Sequence, residues 1–481
     1  MTLSELVAGL RIIESTADMS ASVSGVSYDS RRTQKGDLFV AVRGFVTDGH
    51  EYIAAAAQKG AACVVCEQKP TAAVPYILIE NTRRGLAVIS SNFFHNPTSG
   101  LKMIGVTGTN GKTTTTALIK SILEKNDGAM VGLVGTNSNM IGKRTIHTER
   151  TTPESYELHK LFREMADTGC RYVVMEVSSH ALFLDRVYGI RFEVGVFMNL
   201  TPEHLDFHKS MDEYAEAKAL LFSASKHSVI NIDDPYSGVM RLAAGGDVTT
   251  FSINDDEADI IAKRIKLRED RTEFCALTIG KLQKVELAIP GMFSVYNALG
   301  ALGAVMALGV NIKAATDALA KSGGVKGRAE VVPTNRDFTV IIDYAHTPDA
   351  LQNIISTLRA FTKNRVITLF GSGGDRDRKK RPVMGEIAVR LSDFVIVTSD
   401  NPRTEKPGDI IAEILTGMEG TATPYIVIEN RREAIKWGIN NARPGDVLLL
   451  AGKGHETYQT VGKENFHFDE REIVREYTGE G

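Results

Sequence analysis

Strand-like runs built almost wholly of apolar residues recur along this chain, and each gives way to a glycine or polar turn and then a helical pattern. Leu101-Lys-Met-Ile-Gly-Val-Thr, Tyr172-Val-Val-Met-Glu-Val, Arg365-Val-Ile-Thr-Leu-Phe, Phe394-Val-Ile-Val-Thr and Asp446-Val-Leu-Leu-Leu-Ala are the clearest. A strand apolar at nearly every position needs cover on both faces, which parallel sheets flanked by helices supply. The expected fold class is therefore α/β. The 481 residues suggest about three domains. The turn cluster His95-Asn-Pro-Thr-Ser-Gly100 and the glycine-rich stretch Ser322-Gly-Gly-Val-Lys-Gly-Arg328 place the divisions, giving blocks 1–98, 99–330 and 331–481.

Charge narrows the function. Lys+Arg total 56 and Asp+Glu 59, a net −3, which excludes a general nucleic-acid coat or a polybasic membrane binder. Four cysteines cannot form a disulfide framework, and Cys63 and Cys66 lie in a strand-like run with no zinc partners nearby, so both read as buried thiols. The N-terminus lacks a basic n-region, and the longest strongly apolar stretch, Ala298 to Val310, is shorter than the ~18 residues of a membrane span. A soluble, cytoplasmic protein is expected.

Three kinds of motif carry chemistry. Thr107-Gly-Thr-Asn-Gly-Lys-Thr-Thr-Thr-Thr116 follows a strand and opens a helix, so that backbone N–H groups face one anion, with Lys112 as a point charge and Thr113 as a hydroxyl for Mg²⁺. Val106 stands where the strict spacing asks for glycine, which makes this a variant phosphate loop. No guanine motif appears, so ATP is expected rather than GTP. Glu176 ends a strand beside the phosphate-loop strand, where parallel sheets hold Mg²⁺; His204, in Asn199-Leu-Thr-Pro-Glu-His-Leu-Asp206, is a second candidate. In the third block Gly371-Ser-Gly-Gly-Asp-Arg-Asp-Arg, Ser399-Asp-Asn-Pro-Arg-Thr404 and Gly452-Lys-Gly-His-Glu456 follow successive strands and converge on one crevice. Acids and arginines together suit a zwitterionic amino acid.

In order along the chain, these motifs resemble the Mur ligase family. The match includes Asp29-Ser-Arg, Gly36-Asp-Leu-Phe-Val-Ala, Thr107–Thr116, Thr151-Thr-Pro, Glu176–His180, Tyr214–Lys218, Gly291–Asn297, Gly327-Arg-Ala-Glu330, Asp343–Asp349, Gly373-Gly-Asp-Arg-Asp, Asp400–Arg403 and Gly452–Glu456. The resemblance implies a small N-terminal α/β UDP-binding domain, a central ATPase-like domain with a parallel sheet, and a C-terminal Rossmann-like domain. Within the family it is similar to the members that add meso-diaminopimelate to UDP-N-acetylmuramoyl-L-alanyl-D-glutamate in peptidoglycan precursor synthesis. L-lysine and meso-lanthionine are the alternative amino acids.

Carried over residue by residue, the resemblance places the UDP-muramoyl-dipeptide at Tyr28, Ser30, Thr151, Thr152, Ser178 and Arg186. It places ATP on Gly108, Thr109, Asn110, Gly111, Lys112, Thr113 and Thr114, with Asn297, Arg328 and Asp343 around its base, ribose or phosphates. Magnesium would be held by Thr113, Glu176, His204 and Lys218, the last as an N-carbamate. The amino acid would meet Arg376, Asp400, Asn401, Pro402, Arg403, Gly452 and Glu456. Lys112, Lys218 and Arg328 would be the catalytic residues. Two positions depart from the family pattern: Glu203 stands for the usual Asp before the histidine, and Phe45-Val-Thr47 replaces a loop that often contains His-Gln. Small-molecule partners, no nucleic acid, no membrane insertion and a monomer are expected. Domain closure is also implied, because the ATP loop and the Arg403 loop lie on different blocks.

Two other readings fit the sequence less well. Folylpolyglutamate synthase shares the ATP machinery, but Asp29-Ser-Arg and Asp400-Asn-Pro-Arg403 favour the muramoyl substrate. A non-catalytic nucleotide switch would have no use for Glu176, His204 and Lys218 beside the phosphate loop.

Overall fold

The computed structural model describes residues 1–44, 47–203 and 207–479. His204, Phe45 and Val46 therefore lie outside the described residues. The chain forms two compact units, one of residues 1–250 with 303–309 and one of residues 251–302 with 310–481.

The first unit opens with a sheet of β1 (Ile12–Ser15), β2 (Gly25–Ser27), β3 (Asp37–Val40), β4 (Cys63–Cys66) and β5 (Tyr76–Ile79), ordered β1-β5-β4-β3-β2. All pairings are parallel except that of β1 with β5. Successive side chains alternate between two cores: Leu38, Val40, Cys63 and Val65 face one, while Phe39, Val64 and Cys66 face the other. Cys63 and Cys66 are thus on opposite faces of one strand, and burial pushes their thiols up to about 12 and about 11. They are buried structural thiols, as expected.

The same unit then builds a second set of strands: β6 (Lys102–Thr107), β7 (Val131–Val134), β8 (Asn139–Ile141), β9 (Arg144–Ile146), β10 (Tyr172–Glu176), β11 (Phe192–Phe197) and β12 (Ser225–Asn231). Their order is β12-β11-β6-β10-β7-β8-β9, parallel apart from β8 and β9. The register matters for chemistry, because Glu176 on β10 lies beside Val106 on β6 and Phe197 on β11 lies beside Thr107. Those pairings bring the strand-end acid and the Asn199 segment to the mouth of the phosphate loop.

The chain passes through β13 (Asp247–Ser252) into the second unit. There β14 (Ile260–Leu267), β15 (Thr272–Thr278) and β16 (Lys281–Leu287) form an antiparallel run. This run departs from the all-parallel expectation. Burial alternates along β15, so one face is open to solvent, which antiparallel strands tolerate and parallel ones rarely do. The third block is a sheet of β17 (Glu330–Val332), β18 (Thr339–Asp343), β19 (Val366–Phe370), β20 (Phe394–Val397), β21 (Tyr425–Val427) and β22 (Val447–Ala451), ordered β17-β18-β22-β19-β20-β21. Only β17 is antiparallel. A hairpin of β23 (Tyr458–Val461) and β24 (Glu464–His467) follows. Among the described residues no helix is long and apolar enough to cross a membrane.

Candidate active site

The phosphate loop is shaped by two glycines with positive φ, Gly108 at 152° and Gly111 at 88°, and the helix Lys112–Asp127 begins immediately after them. The four threonines 113–116 thus lie within the first turns of this helix. A β-carbon on Gly108 would lie 2.9 Å from Met198 Cβ, so glycine is required on steric grounds as well. Lys112 Nζ donates to the carbonyls of Gly108 and Thr109 at 2.7 and 2.8 Å. Asn199, at the end of the β11 strand, locks the loop from outside: its Oδ1 accepts from Asn110 N–H at 2.8 Å, and its backbone carbonyl accepts from Thr109 N–H at 2.9 Å. Asn199 was quoted in a motif but given no role.

Glu176 is 1% exposed, and Thr136 holds both of its oxygens, one through the backbone N–H and one through the hydroxyl, each at 2.9 Å. A side chain at Gly135 would put its β-carbon 2.4 Å from Glu176 Oε1, so residues 135 and 136 form a close-fitting seat for this carboxylate. Neither residue was singled out from sequence. Thr136 Oγ1 also lies 3.0 Å from Thr151 Oγ1. Thr152, Ser178 and Arg186 are gathered by direct bonds: Ser178 N–H donates to Thr152 Oγ1 at 3.2 Å, and Arg186 donates to Thr152 O at 3.1 Å. Arg186 also pairs with Glu154 at 2.9 Å. Tyr28 Oη donates to both Glu157 oxygens at 2.9 Å, and burial with Glu157 nearby raises the phenol. Ser30 is nearly buried in the turn after β2.

Lys218 sits mid-helix in Met211–Ser223 and is 1% exposed, where a solvated lysine is the ordinary expectation. Its Nζ lies 4.5 Å from the centre of the Tyr214 ring. Burial, reinforced by Lys112 and opposed by Glu203, pulls this ammonium well below the ordinary lysine range. Among the described residues no cluster of three or more His, Cys, Asp or Glu side chains gathers for a metal.

In the second unit the loops after β19, β20 and β22 do come together, because those three strands are neighbours in the sheet. Gly374 N–H donates to Asn401 O at 2.9 Å, and a β-carbon on Gly374 would collide with Pro402 O at 1.9 Å. Gly452 has φ 113° and its added β-carbon would lie 2.6 Å from Asp400 Oδ2. Arg403 adopts φ 52°, held by Arg403 N–H to Thr460 O at 3.1 Å and Gly462 N–H to Arg403 O at 2.7 Å. Its guanidinium donates to Gly374 O at 2.7 Å. Arg376 is exposed on the same loop.

Burial alone would raise Asp400, but Lys453 and Arg431 outweigh it and hold the carboxyl below its usual range. Glu456 goes the other way: burial and the Asp400 charge raise it against the pull of Lys453. Beneath them the fully buried Arg431 pairs with buried Glu470 at 2.8 Å and donates to Ala451 O at 2.8 Å and Ser399 O at 3.4 Å, tying two strand ends together. Arg381, also fully buried, bridges Glu405 and Glu413. Asp343 accepts from Ala329 and Ala345 N–H at 2.7 and 2.8 Å; burial raises it against the nearby Arg328, whose guanidinium lies 5.2 Å from the Tyr344 ring centre. Asn297 is buried on the helix Met292–Ala307.

Comparison with known proteins identifies the family. The chain matches the Mur ligase middle domain over residues 106–305, the Mur ligase glutamate ligase domain over 327–454, and the Mur ligase family catalytic domain over 22–96. A UDP-N-acetylmuramoyl-L-alanyl-D-glutamate–2,6-diaminopimelate ligase of Caldanaerobacter subterraneus subsp. tengcongensis is 49% identical over 483 residues, covering 100% of this chain and 99% of that protein. The corresponding ligase 1 of Clostridium acetobutylicum is 46% identical over 484 residues and covers 100% of both. A solved structure of a ligase of the same description has 31% identity and a TM-score of 0.74, covering 100% of this chain and 99% of that one. Phosphate loop, buried strand-end acid and converging third-block loops thus sit in a chain matched along its whole length, and it belongs to the Mur ligase family.

Proposed function

We propose that this protein is an ATP-dependent ligase that joins meso-diaminopimelate to UDP-N-acetylmuramoyl-L-alanyl-D-glutamate in peptidoglycan precursor synthesis. The observation that carries the amino-acid assignment is the crevice at the ends of β19, β20 and β22. There the cation of Arg403 and the carboxylates of Asp400 and Glu456 are held on neighbouring loops. An amino acid with an ammonium and a carboxylate at its far end needs both kinds of group.

The D-glutamate carboxylate attacks the γ-phosphorus of ATP, the bond to the bridging oxygen breaks, and ADP leaves behind an acyl phosphate. The amine of the diamino acid then attacks the acyl carbon, loses a proton and expels phosphate. Lys112 and Arg328 neutralise charge spreading over the transferring phosphoryl group. Residues 108–114 would cradle the nucleotide's phosphates, and by resemblance to the family Asn297 and Asp343 would serve its base or ribose. Thr151, Thr152, Ser178 and Arg186 orient the muramoyl-peptide, whose uridine end lies toward Tyr28 and Ser30. The proposed division of labour keeps the blocks 1–98, 99–330 and 331–481 for UDP-muramoyl, ATP and amino acid.

Thr113, Glu176, His204 and a carbamylated Lys218 would offer hard oxygens and an imidazole to Mg²⁺, which would supply positive charge beside the phosphates. The buried, easily deprotonated amine of Lys218 supports that modification, since only the neutral amine adds CO₂. Glu176, seated by Thr136, is held as a preformed acceptor.

The test is ADP release with the UDP-muramoyl-dipeptide across an amino-acid panel. Meso-diaminopimelate should exceed L-lysine by about 10²-fold in kcat/KM, because lysine leaves the Arg403 cation without its carboxylate. Equal or better turnover with L-lysine would overturn the amino-acid assignment; ADP release that continues over many turnovers at an undiminished rate without any amino acid would overturn the ligase.

A further inference from the structure

Lys453 follows the glycine at the end of β22, in the same Gly-Lys-Gly-His-Glu stretch as Glu456. Its side chain is 0% exposed, between the rings of Tyr458 and Phe468, each 5.8 Å from Nζ to ring centre. Burying a lysine head completely is costly unless its donors are used. Here Nζ donates to Asn401 Oδ1 and to Glu456 Oε2, both at 3.0 Å.

The consequences reach both neighbours. Asn401 Oδ1 also accepts from Thr460 N–H at 2.9 Å, so two donors fix which end of the amide is oxygen. The amide nitrogen is then turned to Glu456, donating to Oε2 at 2.9 Å. Glu456 Oε2 is therefore doubly occupied, while among the described residues no hydrogen bond reaches Oε1. Lys453 also does most to keep Asp400 ionised against its burial.

We propose that Lys453 is a positioning residue for the incoming diamino acid. It locks Asn401 and holds Glu456 by one oxygen, which leaves the other as the acceptor for a ligand ammonium group. The proposal rests on reading this crevice as the amino-acid site. It does not require Lys453 to touch the amino acid.

A merely structural cation would serve all substrates alike, so the test is a split among Michaelis constants. In the full-length enzyme, Lys453→Met should raise KM for meso-diaminopimelate at least about ten-fold, with KM for ATP and for the UDP-muramoyl-dipeptide within about two-fold of wild type. Lys453→Gln keeps an N–H donor and places no stranded methyl group against Glu456, so its rise should be smaller, about three-fold. Thermal unfolding of both variants accompanies the kinetics. An unmoved amino-acid KM in a folded variant, or three constants rising together, overturns the proposal. So does failure of both variants to fold, which would make Lys453 a folding requirement. Asp400→Asn serves as the control on the site itself. If it raises the amino-acid KM and the Lys453 variants do not, only the positioning role falls; if it too leaves that KM unmoved, the crevice is not the amino-acid site.

Discussion

Two lysines of the first unit have opposite surroundings and invite different tests. Lys112 rests with its ammonium on two loop carbonyls, a bond that a phosphate oxygen can replace. Lys112→Ala should leave thermal stability within about 1 kcal/mol of wild type yet lower ligation about 10³-fold or more, since a charge on the transferring phosphoryl is lost. Near wild-type turnover would remove the loop from the ATP site. Lys218 is instead buried, and burial favours its neutral amine, the form that reacts with CO₂ to give a carbamate and release one proton. Lys218→Ala should be nearly inactive, formate or acetate should restore part of the activity, and ¹³CO₂ should give a carbamate resonance in the wild type alone. Full activity in the alanine variant would take Lys218 out of the site. Sequence made Lys112 conspicuous because its neighbours dictate its backbone. Nothing local distinguished Lys218, a lysine in the middle of a helix, and only the family resemblance pointed to it; Lys453 was quoted within the Gly452–Glu456 motif but given no role, because its bond to Asn401 crosses more than fifty positions of sequence.

Elements show the same contrast. The apolar strands and the loops that leave them could be read directly, because a run such as Val447–Ala451 is buried at every position. The antiparallel run β14–β16 alternates in burial and pairs through register, which apolar content does not reveal. The helix Ser155–Asp167 carries a consequence for pH. His159 is 2% exposed, its ring stands edge-on to Phe162 at 5.8 Å between centres, and neither ring nitrogen finds a partner among the described residues. Burial lowers it from 6.5 to about 4. The unfolded chain therefore takes up this proton before the folded one does, and stability falls as pH drops from about 6.5 toward 4. At pH 5 the loss due to this ring is about 2 kcal/mol. Urea unfolding of His159→Leu should show a correspondingly smaller acid loss between pH 7.5 and 5. His455, also lowered by burial, is present in both proteins and cancels in the comparison. Identical acid losses would mean that the His159 ring is not held neutral.

At the scale of the molecule, the phosphate loop belongs to the first unit and the Asp400–Arg403 loop to the second. If the first activates the carboxylate and the second delivers the amine, damage to the second should separate the half-reactions. Arg403→Ala should retain the ADP burst in a rapid-quench experiment with ATP and the UDP-muramoyl-dipeptide, while steady-state amide formation falls at least about 10²-fold. Loss of the burst would mean that Arg403 serves the phosphoryl step instead.

The strand order of the third block also bears on how the chain is made. β22 lies between β18 and β19 but follows β21 in sequence, so the strand that completes the middle of this sheet is the last of its six to leave the ribosome. Until it arrives, β18 and β19 have no shared neighbour, and the nascent second unit carries strand edges that β22 has not yet paired. A nonsense codon just ahead of Val447 would accordingly delete not a tail but the centre of a sheet, together with the Gly452–Glu456 loop that lines the crevice.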